Sequence, residues 1–248
     1  MYYHKGNIKQ VVLPHAARVT KEAPEACVIT FFREVIERKR QAGELEQIGA
    51  SRSETVDLPV YVTEQGGAPV GLVAGYVGAP GSAALLEELI TSGFRKFIVC
   101  GGAGVLRREI QAVHLVVPYA ALRDEGVSYH YAPPSREIAC SPEAVAAIER
   151  ALHRENIPFL KAKTWTTDAI FRETRDKIAK CAAEGCVTVE METAALFAVA
   201  QFQKVTLGQI PYGGDDVSGL VWDRRLDVPR DAVRAGLVDL CLKIAAEM

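Results

Sequence analysis

Two acidic residues stand one position apart directly after an apolar segment of the sequence. The segment Cys186–Val189 leads into Glu190, Met191 follows, and Glu192 begins an alanine-rich stretch. Because one carboxylate can accept two hydrogen bonds, an acid in this place could hold the paired hydroxyls of a sugar. The alternative is structural, since acids at the N-terminus of a helix stabilise its dipole. The spacing alone leaves both interpretations open.

Glycine-rich turns follow two other apolar segments, at Gly78–Ser82 and Cys100–Gly104. Backbone N–H groups in such turns can hold an anion, and the missing side chains allow a ligand to approach closely. No Gly-x-Gly-x-x-Gly opens a helix with an acid about 20 residues further on, which disfavours a dinucleotide-dependent dehydrogenase.

The composition favours an enzyme or binding protein for a small molecule. The chain has 248 residues, of which 49% are hydrophobic and 24% charged, and we expect a single domain over residues 1–248. Its net charge of -2 gives no reason to expect a nucleic acid or a membrane as partner.

The longest apolar runs are shorter than the roughly 20 residues of a membrane span, and residues 1–5 do not open a signal peptide, so we expect a cytoplasmic protein. The six cysteines form no Cys-x-x-Cys pair and are predicted to be buried free thiols. The five histidines lack metal-ligand spacing, so no metal site is predicted.

The elements that must position these residues are predicted to alternate between strands and helices. Apolar runs too continuous for half-exposed strands indicate a sheet covered on both faces. They lie at Cys27–Phe32, Val70–Val77, Lys96–Cys100, His114–Pro118, Cys186–Val189 and Val205–Ile210. Helical patterns lie at Ser82–Ser92, Pro142–Asn156, Arg172–Glu184, Glu192–Gln203 and Pro229–Ala246. We therefore predict an α/β fold, a three-layer α/β/α domain with a central mixed, mostly parallel sheet.

The run Val189–Ala195 resembles the ribose-binding signature of the nucleoside phosphorylase family, which includes uridine phosphorylase, hexameric purine nucleoside phosphorylase and methylthioadenosine nucleosidase. The resemblance covers roughly residues 25–245 and leaves residues 1–25 as a poorly matched N-terminal extension. It implies that Glu192 holds the ribose hydroxyls, that Met191 packs on the sugar, and that Glu190 supports them.

The resemblance also implies a base-binding segment and a proton donor. Thr164–Arg172 is similar to the segment that closes over the base, with candidates Trp165, Asp168, Ile170, Phe171 and Arg172. Trp165 and Phe171 are equally compatible with a core role. Gly213–Gly219 resembles a turn whose aspartate protonates the departing purine, which places that role on Asp215, with Asp216 next. A turn without further function is the competing interpretation.

The phosphate site departs from the family pattern. The chain has Thr30-Phe31-Phe32-Arg33 where the family has a Gly-Asp-Pro turn, and Val99 stands where a second arginine is expected. The remaining candidates for phosphate binding are Arg33, Gly102, Ala103 and Arg123. Losing one charged hydrogen bond costs roughly 1.5 to 3 kcal/mol, so the loss of several would weaken phosphate binding strongly.

Three functions remain open on the sequence. The first is a nucleoside phosphorylase, a pentosyltransferase that needs no cofactor and uses inorganic phosphate as co-substrate. The second is a hydrolase that uses water, with Glu34 as a candidate base. The third is a nucleoside-binding protein without turnover. The resemblance implies a homo-oligomer built from dimers, such as a hexamer, in which His4 is a candidate to reach a neighbouring site.

Overall fold

The strands form one mixed sheet of ten strands in a computed structural model, which describes residues 12–14 and 22–248. His4 lies outside the described residues. The strands are β1 Ala26–Thr30, β2 Glu46–Arg52, β3 Asp57–Gln65, β4 Ala68–Ala74, β5 Lys96–Val105, β6 Leu115–Asp124, β7 Glu137–Ala139, β8 Phe159–Thr167, β9 Cys186–Glu190 and β10 Thr206–Asp216.

Helices cover this sheet, and their apolar residues account for much of the core. They are α1 Arg33–Gln41, α2 Ala79–Thr91, α3 Ser128–Tyr131, α4 Pro142–Arg154, α5 Arg175–Ala183, α6 Thr193–Gln203 and α7 Asp231–Glu247, with a 3-10 turn at Ile170–Arg172. Helix α7 packs against β1, β4 and β5, α4 against β6 and β10, and α6 against α2, β6 and β10. The predicted α/β class with a central mixed sheet is confirmed.

The sheet has an open part and a part that closes on itself. The order β10-β6-β8-β9-β5 returns to β10, which pairs with β5 as well as with β6, while β1, β4, β3 and β2 extend from β5. Parallel pairings join β1 to β4 and β5, β5 to β10, and β6 to β8 to β9, and the other pairings are antiparallel. This closure, which apolar runs do not reveal, brings the ends of β5, β9 and β10 together.

Strand β5 continues through residues that the sequence analysis assigned to a glycine turn. Gly101, Gly102 and Gly104 lie within the strand, whose end at Val105 pairs with both β9 and β10. A side chain at Gly101 would collide with Phe31, because an added Cβ would lie 2.9 Å from its Cδ2 atom. These glycines therefore allow close packing across the strand.

Some elements were not predicted because they lack a continuous apolar run. Strand β8 carries an exposed and a half-buried lysine, Lys161 and Lys163, before its run of buried residues, and α1 buries only Val35 and Ile36 among many charged residues. Both elements are fixed by their neighbours in the fold, since tertiary packing overrides weak local pattern.

All six cysteines are buried with free thiols, as the sequence indicated. Burial raises the pKa of the Cys140 and Cys186 thiols to about 12. Among the described residues, no helix is long and apolar enough to cross a membrane.

We predict that substitution of a glycine in β10 separates α4 from the sheet. In Gly208→Ala, the added Cβ would lie 2.8 Å from Ile148 Cδ1 and 2.9 Å from Ala144 Cβ, so we expect a loss of about 1 to 3 kcal/mol in the free energy of unfolding. Urea unfolding followed by circular dichroism measures the change.

The matched control is Gly236→Ala in α7, where an added Cβ meets nothing within 4 Å. Alanine favours a helix over glycine by about 0.5 to 1 kcal/mol, so this variant should be more stable than the wild type. Equal stability of the two variants would contradict the packing described for β10 and α4.

Candidate active site

A cavity of about 640 Å³ opens where β5, β9 and β10 meet. Among the residues predicted for the site, Glu190, Met191, Glu192, Asp215, Ile170, Phe171, Gly102 and Ala103 line this cavity. Trp165, Asp168, Arg172, Arg33 and Arg123 do not. The fold thus brings together the two acidic segments and the glycine strand, although they are far apart in the sequence.

Glu190 stabilises the junction between β9 and α6. Its Oε2 accepts hydrogen bonds from the backbone N–H groups of Glu192 (2.8 Å) and Thr193 (2.7 Å), the first donors of the helix. Its Oε1 accepts a hydrogen bond of 2.6 Å from the hydroxyl of Thr166 on β8. The sequence allowed either acid to be a structural carboxylate at the N-terminus of a helix. Glu190 has this role.

Glu192 has a different environment and faces the cavity. Its Oε1 accepts a hydrogen bond of 2.6 Å from the backbone N–H of Gly78, and its Oε2 accepts a longer one of 3.3 Å from Met191 N. Gly78 has a φ of 97°, a left-handed value that favours glycine, so the turn after β4 can direct this N–H to the acid. The remaining lone pairs of Glu192 are suited to hydroxyl donors of a ligand.

The two carboxyls are close enough to influence each other. Burial raises the pKa of Glu190, and burial together with the Glu190 charge raises the pKa of Glu192 to about 8. Three donors favour the charged form of Glu190, whereas Glu192 has one short hydrogen bond. We therefore place the negative charge on Glu190 and the proton on Glu192 at neutral pH in the free protein.

A second acidic pair, Glu173 and Asp215, lines the same cavity. Asp215 Oδ2 accepts a hydrogen bond of 2.5 Å from the indole N–H of Trp222. Glu173 also lines the cavity, and burial together with the Asp215 charge raises the pKa of Glu173 to about 7. Glu173 is therefore a carboxyl that can exchange a proton with a bound ligand near neutral pH.

The predicted base-binding segment is only partly at the cavity. Ile170 and Phe171 line it, and Phe171 is 92% exposed, so its ring is free to cover a ligand. Trp165 is fully buried and donates its indole N–H to Asp124 at 3.0 Å, which fits the core interpretation. Asp168 accepts a hydrogen bond of 2.9 Å from Gly126 N.

The arginines predicted to bind phosphate lie elsewhere. Arg123 is buried, and neighbouring acceptors take up its donors: it donates to Ser128 Oγ at 2.8 Å, to Ser135 Oγ at 2.7 Å and to the Pro133 carbonyl at 2.6 Å. Arg33 is exposed at the start of α1. Phe31 lies between β4 and β5, since added Cβ atoms at Gly75 and Gly101 would lie 2.7 and 2.9 Å from its ring.

Several lining residues were not among the predicted site residues. They include Phe31, Glu173, Gln209, Tyr212, Trp222, Arg230 and Arg234. The side chain of Gln209 is held by the hydroxyl of Thr193 at the start of α6. Arg230 and Arg234 belong to no motif in the sequence; their spacing of four residues at the start of α7 places them on one face of a helix. Among the described residues, no group of histidine, cysteine or acidic side chains could hold a metal ion.

Comparison with known sequences finds a family model described as the phosphorylase superfamily, which matches residues 25–217. A guanosine phosphorylase of Halorubrum lacusprofundi is 25% identical over 134 residues, which are 54% of this chain and 56% of that protein. A uridine phosphorylase of Treponema pallidum is 28% identical over 164 residues, or 60% of this chain and 64% of that protein. The chain thus spans between half and two thirds of the curated relatives that it matches.

Solved structures share the fold along nearly the whole chain. A purine nucleoside phosphorylase of Toxoplasma gondii, in complex with immucillin-H, has a TM-score of 0.78 at 16% identity and covers 95% of this chain and 96% of its own. A uridine phosphorylase of Vibrio fischeri has a TM-score of 0.79 at 19% identity and covers 95% and 97%. At these identities the likeness shows the fold.

We predict that the raised pKa of Glu192 makes the wild type lose stability relative to Glu192→Gln as the pH rises. A carboxyl whose folded pKa lies above its unfolded value stabilises the protein most below the unfolded pKa, and this contribution is lost as the pH rises towards about 8. The melting temperature of Glu192→Gln minus that of the wild type should therefore increase between pH 5 and pH 8.

Glu109→Gln is the control, because it makes the same substitution at an exposed glutamate. Its melting temperature should follow that of the wild type across this pH range. If the difference for Glu192→Gln were constant with pH, Glu192 would not carry the buried proton assigned to it.

Proposed function

Because the chain belongs to the phosphorylase superfamily, we propose that it cleaves the N-glycosidic bond of a nucleoside by phosphorolysis, releasing a free base and ribose 1-phosphate. The observation that carries the proposal is a single cavity that both Glu192 and Asp215 line. The names of the relatives support it, since those compared above are guanosine, uridine and purine nucleoside phosphorylases. Such a reaction needs inorganic phosphate as co-substrate and no further cofactor.

Glu192 is proposed to hold the ribose. Two neighbouring hydroxyls of the sugar would donate to its carboxylate, while Gly78 N keeps the side chain in place from the other side. Met191 lines the cavity beside it and offers an apolar surface to the sugar ring. Since the hydroxyls need a charged acceptor, binding would move the proton of Glu192 elsewhere.

The base is proposed to lie in the part of the cavity that contains Asp215. As a phosphate oxygen bonds to C1′ of the ribose, the C1′–N bond breaks and its electron pair leaves with the base, whose ring nitrogen takes a proton from the Asp215 carboxyl. Positioned acids of this kind contribute about 10²- to 10⁴-fold to a reaction rate. Ile170 and the exposed Phe171 provide an apolar cover for the ring.

Hydrolysis is the second candidate, and the position of Phe31 favours it. The ring of Phe31 lies against β4 and β5 beside the cavity, in the turn where the sequence pattern expects a phosphate-binding glycine. An apolar ring does not stabilise a phosphate dianion, so water would become the nucleophile if no other cation replaced the lost contacts.

We also propose that the protein assembles as a homo-oligomer. Five large apolar side chains that line the cavity are exposed, namely Val77, Ile170, Phe171, Leu220 and Trp222. Several exposed apolar side chains at one site are typical of a surface that a ligand or a partner subunit covers. Light scattering of the purified protein tests the assembly, and a monomer would contradict it.

We predict that base release from nucleosides requires inorganic phosphate. The protein is incubated with a panel of purine and pyrimidine nucleosides, including methylthioadenosine, with and without phosphate, and the products are separated by chromatography. Ribose 1-phosphate is the expected product. Free ribose formed without phosphate would establish the hydrolase, and no release from any nucleoside would leave a binding protein.

We predict that Asp215→Asn lowers kcat for purine nucleosides by about 10²- to 10⁴-fold while the KM for the nucleoside changes little. The amide keeps the shape of the side chain and an acceptor for Trp222 but has no acidic proton to give. Asp227→Asn, an exposed acid in the loop before α7, is the control and should retain wild-type rates. A wild-type kcat in Asp215→Asn would remove Asp215 from the mechanism.

A further inference from the structure

Two arginines at the beginning of α7 face the cavity from one side. Arg230 immediately precedes the helix, and the backbone N–H of Arg234 donates to the Arg230 carbonyl at 2.8 Å, which places the two residues one helical turn apart. Side chains with this spacing lie next to each other on a helix surface. Both line the cavity that contains Glu192 and Asp215.

Arg234 is held in a fixed orientation but keeps a donor for a ligand. Its Nε donates to the Tyr212 hydroxyl at 3.0 Å, its Nη1 donates to Glu34 at 2.7 Å, and its guanidinium lies 5.1 Å from the centre of the Phe32 ring. Within the described part of the chain, its Nη2 donates no hydrogen bond. A planar guanidinium that is already oriented loses little freedom when it binds an anion.

Arg230 has a positive charge that no described carboxylate neutralises. Its Nη2 donates to three backbone carbonyls, those of Gly214 at 2.9 Å, Arg224 at 2.6 Å and Arg225 at 3.3 Å. Carbonyl oxygens carry only partial charge, so they do not neutralise the guanidinium. Its Nη1 and Nε donate to no acceptor among the residues that the structure describes. The two arginines together therefore hold more positive charge than Glu34 alone offsets.

The guanidinium of Arg234 lies close to an exposed glycine of β5. Tyr212 on β10 is in register with Gly102 on β5, and an added Cβ at Gly102 would lie 3.5 Å from the Tyr212 hydroxyl that Arg234 contacts. Gly102 is exposed and lines the cavity, whereas Gly101 is covered by Phe31. An anion can therefore approach the backbone at Gly102 with Arg234 beside it.

We propose that Arg230 and Arg234 form the phosphate-binding site of this cavity, with Gly102 as its floor. The site takes the place of the contacts that the sequence analysis sought in Arg33 and Arg123, and it explains how phosphorolysis proceeds although Phe31 fills the usual position. Two guanidinium groups match the charge of a phosphate dianion and present several donors to its oxygens. The proposal rests on the proposed function, because it assigns the co-substrate of that reaction to these residues.

The test measures initial rates of base release against phosphate concentration for Arg234→Gln, Arg230→Gln and the wild type. Loss of a charged contact should raise the KM for phosphate by about 10- to 100-fold and leave the KM for the nucleoside within about threefold. Lys243→Gln, which removes a charge from an exposed position on the same helix, is the matched control and should keep the wild-type KM for phosphate. Arg234→Lys retains the charge and should lie between the wild type and Arg234→Gln.

A second measurement does not depend on turnover. Thermal unfolding in increasing concentrations of inorganic phosphate, at constant ionic strength with chloride, should raise the melting temperature of the wild type more than that of Arg234→Gln. The melting temperatures without phosphate show whether each variant is folded. If phosphate raised the melting temperatures of both proteins equally, Arg234 would not belong to a phosphate-binding site.

The outcomes separate this site from the proposed function. If the wild type releases base equally well without phosphate, the proposed phosphorolysis is wrong. The thermal measurement then shows whether Arg230 and Arg234 bind phosphate. If the wild type requires phosphate but Arg230→Gln and Arg234→Gln keep its KM for phosphate, the function stands and the site is wrong. A third arm uses nucleoside 5′-monophosphates without free phosphate: a preference for them that Arg234→Gln abolishes would keep the anion site but overturn inorganic phosphate as its ligand.

Discussion

The carboxylate of Glu190 is the interaction on which the arrangement of the site depends. It is buried among β8, β9 and the first turn of α6, and it binds two backbone N–H groups of that turn and the hydroxyl of Thr166. The same hydroxyl accepts a hydrogen bond of 2.9 Å from Ala194 N, so one acid and one threonine satisfy the donors that begin the helix. Because this network fixes the backbone on both sides of Met191 and Glu192, it determines where the cavity has its acid.

The glycines of β5 permit the close approach of neighbouring elements. Gly101 accepts the ring of Phe31, and Gly104 lies opposite Val189 on β9, with an added Cβ 3.0 Å from the Val189 side chain. This strand joins the open part of the sheet to the closed part: a bulkier residue at Gly101 would displace Phe31, and one at Gly104 would move β9 away. The closure of the sheet and the position of the acids are thus linked through one strand.

Charge is distributed unevenly around the cavity. Glu192, Glu173 and Asp215 are carboxyls, and burial raises the pKa of the first two, whereas Arg230 and Arg234 approach from α7 with donors free of described partners. A charged carboxylate suits contact with hydroxyls, a carboxyl that can give a proton suits a leaving base, and guanidinium groups suit an anion. The cavity is therefore suited to a ligand set that combines a nucleoside with a phosphate, which is the substrate set of the proposed reaction.

The sequence by itself determined the fold class and the acids of the site. Continuous apolar runs such as Cys27–Phe32 and Cys186–Val189 revealed buried strands, and the run from Glu190 to Ala195 carried a resemblance specific enough to identify the family. These signals are local, because each depends on residues adjacent in the chain. They could not tell which of Glu190 and Glu192 caps the helix and which faces the cavity, since that depends on partners in β8 and in the turn after β4.

Only the tertiary structure decided which cations face the site. Arg123 was a candidate from the sequence, yet it lies near the end of β6 and donates to Ser128, Ser135 and the Pro133 carbonyl in the segment that follows this strand. Arg234 lies more than a hundred residues away in a helix without any motif, and the packing of α7 against β1, β4 and β5 brings it beside Tyr212. A guanidinium reaches its partners through a long side chain, so its role depends on which surfaces the fold brings within reach.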